Sequence, residues 1–218
     1  MGVKFWFLAY SDGDAKDHLK SLPAPDEAAS HALAEDLFGR EMTLLGTPRF
    51  EVSDPRGKNV LVGVYPGVTL VAAEELGIDN PSQTDPRFLA HGRHQRVTLH
   101  TQHSVVDWTA FAWWEKGELK RAFSASSDSG IIEDIGPRLP FEDVFWSPAE
   151  QIYPPEANFP YGHPLELGEH ALGHFIGTQY EGYAEDWLWD TFDLKICAFR
   201  MGRKLPGQSK KPFWKFWA

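Results

Sequence analysis

Two pairs of β-type runs, each joined by only two residues, constrain the fold of this chain most strongly. Pro66-Gly67 joins the first pair and Lys116-Gly117 the second. Such short connections are typical of antiparallel hairpins, because parallel strands need a long crossover. The four runs, rich in β-branched and aromatic side chains, are residues 59–65, 68–72, 105–115 and 118–124.

Helical patterns are few. Residues 26–38 place apolar side chains on one helical stripe and are followed by Gly39, which favours a helix end. A second helix is predicted from Pro164 to about residue 176. The sequence therefore predicts an α+β (mixed α/β) protein, in which a few helices flank a largely antiparallel central sheet. We expect a single globular domain over residues 1–201 and a basic, aromatic tail over 202–218.

Charge is distributed unevenly along the 218 residues. Seven cations and no carboxylate follow Asp193, and because the whole chain carries −10, the remainder carries −17. A body with this much negative charge repels phosphate backbones, which argues against nucleic-acid binding.

Three Lys and four aromatic residues lie among residues 209–218. We expect this tail to contact the acidic body, to mediate self-association or to bind a protein partner; weak membrane contact is a further alternative.

The sequence also bears on location. No apolar run approaches the ~20 residues of a membrane-spanning helix, so no membrane span is predicted. Residues 3–9 are too short a run for a signal peptide and predict a buried first strand. The single cysteine, Cys197, excludes an internal disulfide, which suits a reducing compartment. These features together predict a cytoplasmic protein.

The second predicted helix carries a possible metal-binding stripe. Glu166, His170 and His174 are spaced by four residues, so they share one side of the helix, with His163 near its start. Two His at this spacing and a carboxylate are a usual zinc ligand set. However, the opposite side is apolar and would face the core, so the stripe is interpreted mainly as a solvated surface. No cofactor and no stoichiometric metal are predicted.

Aromatic residues suggest a binding surface. Residues 137–164 contain seven prolines and six aromatic side chains, and this long segment either covers one face of the sheet or roofs a ligand pocket. The candidate binding residues are Trp113, Trp114, Trp146 and Tyr161.

Two other clusters have plainer interpretations. Ser11-Asp12-Gly13-Asp14 follows the first strand and could bind a cation, but a turn with a helix cap is the favoured prediction. The histidines at positions 91, 94, 100 and 103 do not share a strand face, so their clustering is interpreted as accidental.

Several motifs together resemble an uncharacterised family of actinobacterial proteins. They span about half of the chain and comprise His103–Trp108, Phe111–Trp114 with Glu118-Leu119, Gly130–Gly136 with Leu139–Glu142, and His163–Glu169. The resemblance implies a cytoplasmic bacterial protein with a domain of unknown function, and it supplies no activity.

Three functions remain open at this stage. The favoured one is a non-catalytic cytoplasmic binding module for a protein or a small ligand, which uses the aromatic surface and the Pro/aromatic segment. The alternative is a metal-dependent hydrolase that uses Glu166, His170 and His174. A third is an enzyme with a covered pocket, in which Asp107 or Glu133 would be the acid or base.

Overall fold

The computed structural model describes residues 4–50, 55–90, 95–146, 162–180 and 187–206. Within these ranges a single sheet of nine strands dominates the fold. The strands are β1 (Lys4–Ser11), β2 (Arg40–Gly46), β3 (Asn59–Tyr65), β4 (Val68–Ala72), β5 (Arg96–His103), β6 (Trp108–Glu115), β7 (Glu118–Ser126), β8 (Gly130–Ile135) and β9 (Cys197–Lys204). The α-helices are α1 (Ala15–Leu19), α2 (Glu27–Phe38), α3 (Pro86–Leu89) and α4 (Pro164–Ile176).

The strand order is β2-β9-β3-β4-β1-β5-β6-β7-β8, and every neighbouring pair is antiparallel. The two predicted hairpins are confirmed as β3–β4 and β6–β7. Lys116 and Gly117 both have positive φ, 51° and 80°, as a two-residue hairpin turn that follows the twist of its strands requires. β1 lies at the centre with seven of its eight residues buried, which explains its continuous apolar sequence.

Helices cover both faces of the sheet. On one face, here the α2 face, α2 packs on β2, β3 and β9. The predicted end at Gly39 is confirmed, and the helix begins one residue later than predicted because Asp26 is its cap. The Asp26 carboxylate accepts a hydrogen bond from the Ala29 amide at 2.9 Å, and Gly39 ends the helix in the left-handed conformation. Phe88 of α3 completes this side of the core.

The opposite face, here the α4 face, is covered by α1, α4 and a 3-10 helix, Pro140–Trp146. α4 packs on β5, β6 and that 3-10 helix. Leu139 and Phe145 belong to the buried cluster, and Phe141 and Trp146 pack against it. This part of the Pro/aromatic segment therefore covers the sheet; residues 147–161 lie outside the described residues.

The predicted α+β class is wrong. The protein is built on one sheet-dominated antiparallel layer with few helices, and α1 and α3 have only five and four residues. The error arose because β2 and β8 were not predicted. Both lie at the edges of the sheet, where their half-exposed residues do not repeat a strict alternation.

The sheet extends into the segment that was predicted as a tail, residues 202–218. β9 continues to Lys204, so Gly202, Arg203 and Lys204 belong to the sheet rather than to a tail. Residues 207–218 lie outside the described residues, and the role of the tail stays a prediction.

Among the helices that the structure describes, none is both long and apolar enough to cross a membrane.

Candidate ligand-binding site

A cavity of about 270 Å³ opens on the α4 face, where the end of β1 meets α1, α4 and the β5–β6 pair. We call it the α4-face cavity. Five separate segments of the chain supply its walls, so the cavity depends on the packing of α1 and α4 against β1, β5 and β6. The lining residues are Ser11, Gly13, Asp14, Ala15, Lys16, Arg96, Thr98, Trp113, Leu139, His174 and Phe175.

The charged lining of the α4-face cavity is net positive. Lys16 and Arg96 contribute two cations, and Asp14 is the carboxylate among the described lining residues. Asp14 caps α1 by accepting a hydrogen bond from the Lys16 amide at 3.1 Å, and its other oxygen lies 3.4 Å from Lys16 Nζ. The Asp14 carboxylate therefore already has two partners, and Arg96 pairs at 3.5 Å with Glu115, its register partner on β6.

His174 contributes an imidazole to the wall. Its ring lies 4.9 Å from the Phe141 ring and 5.2 Å from the Phe175 ring, measured between centroids. The partial desolvation that results lowers the pKa of His174 below its ordinary value, and the neighbouring cation Lys16 lowers it further. At neutral pH the ring is therefore uncharged, and it offers one donor and one acceptor to a ligand.

The remaining wall is aromatic and hydroxylic. Trp113 is half-buried on β6, and the Arg96 guanidinium lies over its ring, 5.8 Å from the centroid. Ser11 and Thr98 place hydroxyl groups on the same side of the sheet as the cavity. The cavity thus combines two cations, a neutral imidazole and a planar apolar surface, a composition that suits a small organic anion.

Buried hydrogen bonds hold α4 in the position that brings His174 to the cavity. His100 on β5 donates from Nε2 to the Gly168 carbonyl at 2.8 Å and is 1% exposed. Gln102 donates to the Glu169 carboxylate at 2.9 Å, and the Tyr180 amide donates to the other Glu169 oxygen at 2.6 Å. Three polar contacts along one side of the helix therefore fix its rotation.

Gly168 allows this close approach. A Cβ at this position would lie 2.5 Å from Thr109 Oγ1 and 2.6 Å from Gln102 Oε1, far below van der Waals contact. Gly168→Ala is expected to cost about 1–3 kcal/mol of stability by overpacking, against a gain of about 1 kcal/mol in helix propensity. Urea unfolding would measure the difference.

Gly173→Ala is the matched control, because it lies on the same helix and its Cβ would meet no heavy atom closer than 3.8 Å. That variant should keep the full gain in helix propensity, about 1 kcal/mol. Equal stabilities of the two variants would show that α4 does not rest on the sheet at Gly168.

Only one residue of the predicted metal-binding stripe lies at the cavity. Glu166, His170 and His174 are all exposed on α4, and only His174 lines the cavity. The His170 ring contacts the edge of Phe145 at 5.0 Å between centroids. Among the described residues, no group of three or more His, Cys, Asp or Glu side chains is placed to hold a metal ion.

The four candidate aromatic residues are dispersed. Trp113 lines the α4-face cavity, whereas Trp114 points to the α2 face and is 3% exposed in the core. Trp146 packs against Phe123 and lies under the Arg138 guanidinium. Tyr161 lies outside the described residues.

The two proposed acid–base residues lie elsewhere. Glu133 accepts hydrogen bonds from the Ser82 amide and hydroxyl, at 2.9 and 2.5 Å, and so anchors a short 3-10 turn. Asp107 has a left-handed backbone and accepts a hydrogen bond from the Ser127 hydroxyl at 3.3 Å. Neither residue lines the α4-face cavity.

Comparison with known proteins gives one result. The model of a family of unknown function, DUF6928, matches residues 5–199, which is most of the chain. The protein is a member of the DUF6928 family. It matches no curated protein and no solved structure.

Sequence reasoning did not select two central residues of this DUF6928 site. Lys16 and Arg96 belong to different segments and each looks like an ordinary surface cation in the sequence. Their convergence depends on the pairing of β1 with β5, which places Ser11 opposite Arg96. The local signal that could have indicated the site was the Ser11–Asp14 turn after β1, which was interpreted as a cap and does form one at Asp14.

Proposed function

We propose that this DUF6928 protein is a non-catalytic binding module that takes a small organic anion into the α4-face cavity. The observation that carries the proposal is the net positive lining of that cavity in a chain of net charge −10. A negative body otherwise repels anions, so two cations gathered beside an aromatic wall favour a specific anionic ligand.

The lining suggests the chemistry of the ligand. Lys16 pairs with Asp14 and Arg96 pairs with Glu115, but each cation has further N–H donors that a monocarboxylate can accept from. Trp113 and Phe175 provide a surface for a planar or apolar group. The Ser11 and Thr98 hydroxyls donate to the Gly13 and Ala9 carbonyls, so their oxygens can accept hydrogen bonds from polar substituents. A small aromatic or aliphatic carboxylate meets all three requirements.

Benzoate is a suitable probe for this proposal. Calorimetric titration should show that benzoate binds more tightly than benzamide, which lacks the charge, and than acetate, which lacks the ring. Lys16→Gln and Arg96→Gln should each weaken benzoate binding about tenfold, because each removes one charge-assisted contact.

Lys20→Gln provides the matched control, because Lys20 directly follows α1, pairs with Asp17 and does not line the cavity. This variant should bind benzoate like the unmodified protein. If benzamide binds as tightly as benzoate, or if Lys16→Gln and Lys20→Gln behave alike, the cavity is not an anion site.

We also propose a cytoplasmic location in an actinobacterium. It is supported by the single cysteine, Cys197, which is buried in the core, and by the shared motifs. The acidic body repels phosphate backbones, which supports the absence of nucleic acid among the proposed ligands. The tail, residues 207–218, is proposed to contact a partner or a second copy of the chain.

A further inference from the structure

A second cavity, of about 430 Å³, lies on the opposite side of the sheet from the proposed carboxylate site. It opens where α2 ends, between α3 and the last residues of β9, and we call it the α2-face cavity. Its lining residues are Phe38, Gly39, Arg40, Glu75, Arg87, Met201, Lys204 and Leu205. Among the described residues, three cations and one carboxylate therefore line this cavity.

Two of these cations face each other without a counter-charge. Arg40 on β2 is the register partner of Lys204 on β9, and like charges directly opposite on neighbouring strands repel. Arg40 donates a hydrogen bond to the Gly202 carbonyl at 3.0 Å. Within the described residues, neither Arg40 nor Lys204 forms an ion pair with a carboxylate, although the chain has ten more acidic than basic residues.

The third cation is held in place by its surroundings. The Arg87 guanidinium lies over the Phe88 and Phe38 rings, 4.5 and 5.5 Å from their centroids, and it pairs with Glu75. Arg87 Nε is buried without a hydrogen-bond partner, and lies 3.7 Å from Asp85, beyond hydrogen-bonding distance. A positioned guanidinium therefore lines the same cavity as Arg40 and Lys204, which have no carboxylate partner among the described residues.

We propose that the α2-face cavity binds a phosphate group. Arg87 already faces two carboxylates, Glu75 and Asp85, so the uncompensated charges are those of Arg40 and Lys204. Two positive charges match a phosphate dianion better than a carboxylate. Arginine side chains suit phosphate oxygens because their planar donors can bind two oxygens at once. Phe38, Met201 and Leu205 add an apolar wall, which indicates a phosphorylated organic molecule rather than free phosphate.

This site is independent of the proposed function, since it shares no residue with the α4-face cavity. It also gives a reason for the Arg40–Lys204 pair. An anion bound between the two side chains attracts both cations. It thereby replaces their repulsion with an interaction that stabilises the pairing of β2 with β9.

Inorganic phosphate and phenyl phosphate are the probes that test the site. In calorimetric titrations of the full chain, phenyl phosphate should bind more tightly than inorganic phosphate because it also contacts the apolar wall. Arg40→Gln and Lys204→Gln should each weaken binding about tenfold, and the loss should be similar for both probes. Chloride at equal ionic strength controls for general charge screening.

Arg203→Gln is the matched control. Arg203 is adjacent to Lys204 in β9, but its side chain pairs with Glu41 and does not line the cavity. Lys16→Gln should also leave phosphate binding unchanged, which separates this site from the α4-face cavity. Equal binding to Lys204→Gln and Arg203→Gln, or no phosphate binding at all, would overturn the proposal. Equal affinity for both probes would limit the site to free phosphate and refute the organic ligand.

Thermal unfolding without phosphate gives a second test, in which the same two substitutions that weaken phosphate binding should increase stability. Lys204→Gln and Arg40→Gln should raise the unfolding temperature in phosphate-free buffer, because each removes the repulsion between the paired strands. With phosphate present, the unmodified protein should gain more stability than these variants, because they bind phosphate more weakly. Lower stability of both variants in phosphate-free buffer would show that the pair does not need an anion.

Discussion

Replacing Arg121 with methionine is expected to lower the free energy of unfolding by about 3–5 kcal/mol, the largest effect of any single substitution proposed for this protein. Arg121 on β7 and Glu142 in the 3-10 helix are both fully buried. The guanidinium donates to both Glu142 oxygens, at 2.9 and 2.6 Å, and to Asp134 at 2.5 Å. Removing it leaves a buried carboxylate without its counter-charge.

The double variant Arg121→Met, Glu142→Gln should recover part of this loss. The amide introduced by Glu142→Gln carries no charge but can still accept the hydrogen bond that the Leu139 amide donates to Glu142 at 2.9 Å. Lys120→Met is the control, because its pair with Glu118 is exposed and screened by water, so its loss should change stability little. Urea unfolding that showed similar losses for Lys120→Met and Arg121→Met would contradict the prediction.

Acidification should destabilise the protein through His100. Burial lowers the pKa of this imidazole to about 4 in the folded state, from about 6.5 in the unfolded chain. Between these values the unfolded chain binds a proton that the folded chain does not. Stability is therefore complete above about pH 6.5 and declines toward pH 4, with a total loss of about 3 kcal/mol from this residue.

His100→Gln isolates this contribution, because glutamine retains an N–H donor for the Gly168 carbonyl and does not titrate. The unfolding free energy of this variant should depend less on pH between about 4 and 6.5. His170→Gln, which removes an exposed imidazole from α4, should follow the pH dependence of the unmodified protein. Parallel pH profiles for His100→Gln and the unmodified protein would contradict the assignment.

Local signals in the sequence predicted the elements whose structure is locally determined. α2 and α4 have apolar stripes and glycines at their ends, and the β3–β4 and β6–β7 hairpins have two-residue turns. β2 and β8 lack such signals, because each depends on pairing with one neighbour at an edge. Leu194 and Ile196 continue the apolar pattern of β9 on its N-terminal side, but both precede the strand. They are apolar because they are buried in the core.

The candidate site was less predictable than the helices and hairpins. Trp113 and His174 were selected because aromatic residues and spaced histidines stand out in a sequence. Lys16 and Arg96 acquire their role only from the β1–β5 register, which the chain does not encode locally. The rotation of α4 depends on Gly168, whose importance comes from contacts with β5 and β6.

The position of β9 constrains the order in which this protein can form during synthesis. β9 lies between β2 and β3 in the sheet but follows both by more than a hundred residues in the chain. While the ribosome still holds Cys197–Lys204, β2 lacks the one partner strand that it has among the described residues, and β3 has one open edge. Such contacts between distant segments form slowly, and an open apolar edge can recruit other chains. Until β9 is released, we therefore expect the nascent protein to need protection from aggregation, such as a chaperone provides.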